Sequence, residues 1–181
     1  VKLGFIVEGD TEKILLDSPE FKSFLFSQNI SFVDPVINAG GNGNLLPHNI
    51  IEYIDVLKQK GADKIIVLTD LDEAKCFTEV KNRIDGQDLI ICIAKKKIES
   101  WFLSDTNALS SLLRARESCE FPEDVINPFE YLSERRQFHQ GRGFGDKKIL
   151  AKLMLRNGFS IENAMDHPNC PSAKYFYNKL F

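Results

Sequence analysis

The sequence lacks any apolar run near the roughly 20 residues that a membrane-spanning helix needs, and its charged, periodic N-terminus does not read as a signal peptide. No CxxC pair occurs. The four cysteines (Cys76, Cys92, Cys119 and Cys170) are widely separated, so a zinc ribbon, a redox dithiol or a disulfide frame is not expected, and a reducing cytoplasm is. There is no GK[ST] phosphate loop, no dinucleotide-binding glycine fingerprint, no HExxH and no Ser/His/Asp order, which removes the common nucleotide, zinc-hydrolase and triad chemistries from first consideration. Internal repeats, low-complexity tracts and long linkers are absent as well. An excess of basic charge is also missing, since the net charge is −3, and an obvious nucleic-acid binder would carry one.

What is present is an ordinary globular composition, 43% hydrophobic and 27% charged over 181 residues, long enough for one domain with a real core. Charge is unevenly placed. Residues 1–90 hold 9 Lys+Arg against 15 Asp+Glu, and residues 91–181 hold 14 against 11. Most of the basic excess lies in Glu134–Arg156, with seven basic and two acidic residues. An acidic cluster in one half and a basic stripe in the other suit a cation-dependent site acting on a polyanion. A solvated helix face accounts for the basic residues equally well.

The first half alternates between strand and helix patterns. KLGFIVE (Lys2–Glu8) reads as a strand. GDTEKILLDSPEFKSFLFSQ follows as a helical stretch with Ile14, Leu15, Phe21, Phe24 and Leu25 at helical spacing. ISFVDPVIN (Ile30–Asn38) is a strand broken or bulged by Pro35, hence near a sheet edge. AGGNGN is a turn, and LLPHNIIEYIDVLKQKG is a helix closed by Gly61. KIIVLTD, EAKCFTEVKNRID and QDLIICIA complete a βαβαβαβ order, the pattern of a mostly parallel four-stranded sheet covered by helices. Beyond it, KKKIESWFLSDTNALSSLLRAR is expected as two helices with a cap at Ser104/Asp105. Residues 117–145 are expected to be loop-rich. DKKILAKLMLRNG is a helix capped by Asp146, and PSAKYFYNKLF is a last helix with Pro171 in its first turn.

In such sheets function collects beyond the carboxyl ends of the strands, and acids stand at two of those ends. Glu8 follows the first strand, with Gly9 permitting a sharp turn and Asp10, Thr11 and Glu12 opening a helix. Asp70 and Asp72 follow the third; alternate residues leaving a strand face the same way, so the two are expected to face one site. Glu8, Asp70 and Asp72 together can share hard cations such as Mg²⁺. As the bland alternatives, each acid is a solvated strand end and Glu12 complements the helix dipole. NAGGNGN is expected to be a turn, a role compatible with backbone contact to a phosphate. Of the histidines, His48 and His167 are read as structural, and His139 is the one with a candidate role.

VEGDTE (Val7–Glu12) and the later LTDLDE (Leu68–Glu73) resemble the TOPRIM domain of topoisomerases, primases and maturation and recombination nucleases. The VEGxTE form leans toward small stand-alone TOPRIM proteins and the overcoming-lysogenization-defect (OLD) nucleases. KKIESWFLSD (Lys96–Asp105) and CPSAKYFYNKL (Cys170–Leu180) are similar to segments of those small proteins. The resemblance implies a TOPRIM-like α/β core over 1–103 and a helical C-terminal extension over 104–181 packed on it as one domain. It implies Glu8 as metal ligand or general acid/base, Asp70 and Asp72 as metal ligands, and Glu12 as a further acid of the metal site. Glu99 would add a ligand; an exposed position beside Trp101 is its alternative. Lys147 or Lys148 would be the lysine that OLD-like nucleases use downstream of their acids. Apart from the resemblance, the basic stripe offers Arg135, Arg136, His139, Arg142 and Lys152 to hold nucleic acid, DNA or RNA. The implied activity is a Mg²⁺- or Mn²⁺-dependent nuclease. The implied alternative is a non-catalytic metal- and nucleic-acid-binding module. The ATPase half of full OLD proteins is not in this sequence, so any ATP-driven step would need a separate partner ATPase.

Overall fold

Strand β1, Lys2–Val7, buries every residue after Lys2, as a strand covered on both faces must. Its side chains alternate between two layers. Phe5 packs edge-on against Phe21 and stacks on Phe32. Ile6 faces the other way, into a cluster with Ile50, Ile54, Leu57, Val80 and Ile84. Gly4 lies on that second face, where an added Cβ would stand 3.1 Å from Leu57 Cδ1 and 3.2 Å from the Ala62 Cβ. The glycine thus sets how closely the covering helix approaches.

The computed structural model describes residues 1–84 and 88–181. The chain divides into two units, 1–93 with Leu180 and 94–179 with Phe181. In the first unit β1 pairs in parallel with β2 (Ser31–Phe32), β3 (Ile37–Asn38) and β4 (Lys64–Asp70), and β5 (Ile90–Ala94) completes the order β2-β1-β4-β5, with β3 also on β1. β2 and β3 are the two halves of the expected Ile30–Asn38 run. Pro35, which has no N–H for the ladder, falls in the gap on the sheet edge. Helices α1 (Asp10–Leu16), α2 (Pro19–Ser27), α3 (Pro47–Gln59) and α4 (Phe77–Ile84) connect the strands. This is an α/β unit with a mostly parallel sheet flanked by helices. The chain leaves β1 toward β2 and β3 on one side, then crosses to β4 on the other. The strand order therefore reverses between β1 and β4.

Several boundaries differ from expectation. The single helical stretch after Glu8 is two helices, because Ser18 accepts a hydrogen bond from the Phe21 N–H and Pro19 occupies the first turn of α2; Ser-Pro is a helix start, read too weakly beside the apolar spacing. Helix α4, expected from Glu73, starts at Phe77. The expected ends of that helix at Asp85 and of the fourth strand at Gln87 lie outside the described residues.

The second unit is helical: α5 (Glu99–Ser104), α6 (Thr106–Leu113), α7 (Pro128–Gln140), α8 (Lys147–Arg156), α9 (Ile161–Asp166) and α10 (Pro171–Lys179). All six residues of α5 are buried. Trp101 packs on Phe176, Phe102 meets Phe159 edge-on, and the Trp101 indole N–H donates to Ser172 Oγ at 2.8 Å. Asp105 caps α6 by accepting from the Ala108 N–H at 3.0 Å, as expected. Because α5 is the centre of this helical unit, the division falls at Ile93/Ala94 instead of after Leu103. α7 occupies much of the segment expected as loop. Its residues are polar around most of the circumference, so periodicity is weak, and the start signal is local: Asn127 accepts from the Glu130 N–H, followed by Pro128. Short α9 was not anticipated either. Among the described residues no helix is long and apolar enough to cross a membrane.

Candidate functional site

Parallel register brings Val7 opposite Leu68, and the Glu8 N–H continues the ladder by donating to the Leu68 carbonyl at 3.1 Å. One step further, the Glu8 side chain crosses to β4. Its Oε2 accepts a hydrogen bond from the Thr69 hydroxyl and another from the Asp70 backbone N–H at 3.2 Å. Thr69 is fully buried, and toward an ionised carboxylate, which only accepts, its hydroxyl is the donor. Glu8 and Asp70 are thereby held side by side at the carboxyl ends of the two strands between which the order reverses, the position where open α/β sheets take ligands.

The residues around this pair are tied as well. Glu12, on the first turn of α1, is buried at 4% exposure, and its Oε2 lies 3.2 Å from where a Cβ on Gly9 would stand. Gly9 leaves the space into which that carboxylate folds. Asp10 Oδ1 accepts from Asn38 Nδ2 at 2.7 Å, linking α1 to the end of β3. Lys13 donates to the Val36 carbonyl at 2.6 Å and pairs with Asp17 at 3.0 Å.

Asp72 is not placed as strand alternation predicts. β4 ends at Asp70, Asp72 has a left-handed backbone with φ 46°, and the Ala74 N–H closes a turn on the Leu71 carbonyl at 3.0 Å. Asp tolerates that conformation, but the extended geometry that would put Asp70 and Asp72 on one side is gone. The glycine loop serves as a turn. The Gly40 N–H donates to Asn38 Oδ1 and the Gly41 N–H to the Glu8 carbonyl, each at 2.8 Å, so these amides are committed within the protein. Among the described residues, no three His, Cys, Asp or Glu side chains are gathered closely enough to hold a metal ion.

The remaining candidates belong to the second unit. Glu99, the first residue of α5, is fully buried, contrary to its exposed alternative. Its Oε1 lies 2.9 Å from Lys147 Nζ, yet neither carboxylate oxygen has a well-formed hydrogen bond among the described residues. Two candidates drawn from distant parts of the sequence thus form one ion pair. Lys148 and Lys152 are exposed on α8.

The basic stripe separates into different roles. Arg136 is buried at 8% exposure; it donates to Gln140 Oε1 and the Gly143 carbonyl, and lies over the Phe144 ring. Burial first, and then the charge of Arg142, lower its pKa. Arg136 is therefore a strut of the Gly143–Phe144 loop and not a surface contact. Arg135 donates to Glu117 Oε2 at 2.7 Å, and His139 Nε2 meets the same oxygen at 2.9 Å. The Arg135 hydrogen bond is the main reason the Glu117 carboxyl lies below its ordinary value, against the upward push of burial and with help from His139. An ionised carboxylate only accepts, so His139 carries its proton on Nε2. Arg142 is exposed.

Sequence reasoning missed the residues that hold these groups. Thr69, Asn38 and Glu117 act through contacts between distant segments, and no local pattern marks them; Gly9 reads as a turn in the sequence, and the room it leaves for Glu12 follows only from the fold. No family model, no curated protein and no solved structure matches the chain. Fold and geometry define the class, an α/β protein with an acidic edge at the reversal point of a parallel sheet.

Proposed function

We propose that this protein performs Mg²⁺- or Mn²⁺-dependent phosphodiester chemistry on nucleic acid, DNA or RNA, as a nuclease of the OLD-like TOPRIM type. The observation that carries the reading is the joining of Glu8 to Asp70 across β1 and β4 at the sheet's reversal point. The donors there are all hard oxygens, the ligand type that Mg²⁺ requires. Mg²⁺ characteristically uses one or two carboxylates, with water and substrate phosphate completing its shell, so the lack of a three-acid group among the described residues is compatible with it. Glu8 and Asp70 would hold the ion, and Glu12 and Asp72 would set the local negative field. A bound cation supplies Lewis-acid polarisation of a phosphate and activation of water. The protein's own part is orientation: the Thr69 hydroxyl and the Asp70 amide fix the Glu8 carboxylate, and Gly9 keeps room for Glu12. Lys147 and Lys148 are the downstream basic candidates, with Lys147 sharing its charge with Glu99. A reducing cytoplasm suits the four free thiols.

A second reading has its own observation. Glu8 Oε2 is already engaged by two donors, which favours a non-catalytic TOPRIM module that binds metal weakly and acts with a separate ATPase. The deciding experiment incubates the protein with single- and double-stranded DNA and RNA under Mg²⁺, Mn²⁺ or EDTA, beside Glu8→Gln and Asp70→Asn. The nuclease reading expects metal-dependent cleavage lost in both variants. Cleavage that persists in both removes the assignment of these residues. No cleavage by folded protein under any metal leaves the module.

A further inference from the structure

The second unit contains a cleft of about 470 Å³ lined by Leu113, Arg114, His139, Gln140 and Arg142. Two of these side chains are exposed arginines from different elements: Arg114 ends α6 with a left-handed backbone at φ 53°, and Arg142 follows the Gly141 cap of α7. Among the described residues neither forms an ion pair with a carboxylate. Glu117, which meets the lining residue His139, is shared between His139 and Arg135. The helix ends offer a competing explanation, because cations favour helix C-termini. That effect is too small for both charges: each terminus carries roughly half a negative charge, so two termini offset about one of the two guanidinium charges. One orphan carbonyl is also satisfied already, since Gln140 Nε2 donates to the Leu112 carbonyl at 2.7 Å. The cleft is left with a surplus of positive charge.

Beside it stands an aromatic residue that the core does not use. Phe138 is 76% exposed, its ring meets that of His139 edge-on at 4.9 Å, and the Arg135 guanidinium lies 5.4 Å from its centroid. Exposed aromatics next to cationic clefts are how proteins hold single strands: the arginines track phosphates and the ring stacks a base. A duplex keeps its bases stacked internally and offers no free face.

We propose that this cleft is a phosphate subsite for single-stranded nucleic acid, with Arg114 and Arg142 on the backbone and Phe138 under the adjacent base. The inference rests on the reading of nucleic acid as the partner, but not on cleavage, so binding is measured in EDTA. Fluorescence anisotropy with labelled single-stranded DNA and RNA and with their duplexes is compared for the wild type, Arg114→Gln/Arg142→Gln and Phe138→Ala, all checked for folding by thermal unfolding. Loss of two phosphate contacts on a single strand should lower the salt slope, log K against log[salt], by about 1.4. Phe138→Ala should weaken single-strand binding about tenfold and leave the slope unchanged. Unchanged affinity and slope in the arginine double variant overturn the proposal, and so does equal binding of duplex and single strand with no effect of Phe138→Ala. Competition by inorganic phosphate as effective as by oligonucleotide, at equal phosphate concentration, also overturns it, in favour of a free-anion site. Failure here with metal-dependent cleavage intact rejects the cleft alone. Success here with no cleavage supports the cleft and removes the nuclease.

Discussion

Removing the Lys147 charge separates a structural role for this residue from a catalytic one. At 2.9 Å, Coulomb attraction between unit charges is about 6 kcal/mol at an effective dielectric of about 20, and about 3 kcal/mol at about 40. Lys147 is 42% exposed while Glu99 is fully buried, so the second figure is nearer for the lysine end, and water recovers part of it. A coupling energy of about 2 kcal/mol is expected. Lys147→Met leaves Glu99 as a buried charge without its cation, the costly way to break such a pair, whereas Glu99→Gln removes the charge that needed compensation. The assay is urea unfolding of the wild type, both single variants and the double variant, closed as a thermodynamic cycle. Lys147→Met should be the least stable, and adding Glu99→Gln to it should restore stability. A coupling below about 0.5 kcal/mol, the range of ordinary surface pairs, would refute the reasoning. The same proteins, assayed for nucleic-acid cleavage, then address the TOPRIM reading. A lysine used in chemistry loses turnover in Lys147→Met even when Glu99→Gln has restored the fold.

Four further outcomes are open to measurement. Thr69→Val removes the hydroxyl that engages Glu8. If Glu8 holds a cation, calorimetric titration should show altered Mn²⁺ affinity relative to the wild type and none in Glu8→Gln; identical titrations of all three count against Glu8 as a ligand. Ser172→Ala leaves the buried Trp101 indole N–H without its acceptor, at a cost of about 1–3 kcal/mol, and a loss under about 0.5 kcal/mol in urea unfolding would contradict the bond. Native protein should present one rapidly reacting thiol, Cys76, because it is exposed while Cys92, Cys119 and Cys170 are buried; burial pushes the Cys170 thiol up to about 12. Fast labelling that survives Cys76→Ser goes against this. Glu117, held below its ordinary 4.5 chiefly by Arg135, contributes stability that is full above that value and lost as pH falls through the lower folded one. Melting temperature should therefore drop less steeply in acid for Glu117→Gln than for the wild type, and parallel curves would show the carboxylate to be inconsequential.

The architecture of the first half was legible because it is written in local periodicity. A strand buried on both faces needs a continuous apolar run, and KLGFIV and KIIVLTD are such runs; Pro35 likewise announced the edge. The acidic positions were legible for the same reason, since strand ends follow from strands. What stayed hidden depends on contacts between distant segments or on weak patterns. α7 has too little apolar contrast for periodicity to find it. The left-handed backbone at Asp72 is a turn property that an acidic residue permits without demanding. Arg136 counted as surface charge because arginine usually is, yet its guanidinium is spent on a loop carbonyl, a glutamine and an aromatic face.

The question at the sheet edge accordingly changes from composition to competition. Like charges near one another need either protons, donors or a cation, and the structure supplies Glu8 with donors: a buried hydroxyl and a backbone amide. Those donors orient the carboxylate at the reversal point, which a catalytic acid requires, and they also engage an oxygen that a cation would use. The opposing effects are unequal. A backbone amide and a hydroxyl leave the carboxylate's second oxygen and remaining lone pairs unassigned, and a Mg²⁺ ion that keeps most of its waters asks for little more than one oxygen from each acid. Donor engagement of Glu8 therefore restricts the geometry of cation binding more than its possibility, and cleavage assayed under Mg²⁺, Mn²⁺ and EDTA is what separates a nuclease from a metal-binding module.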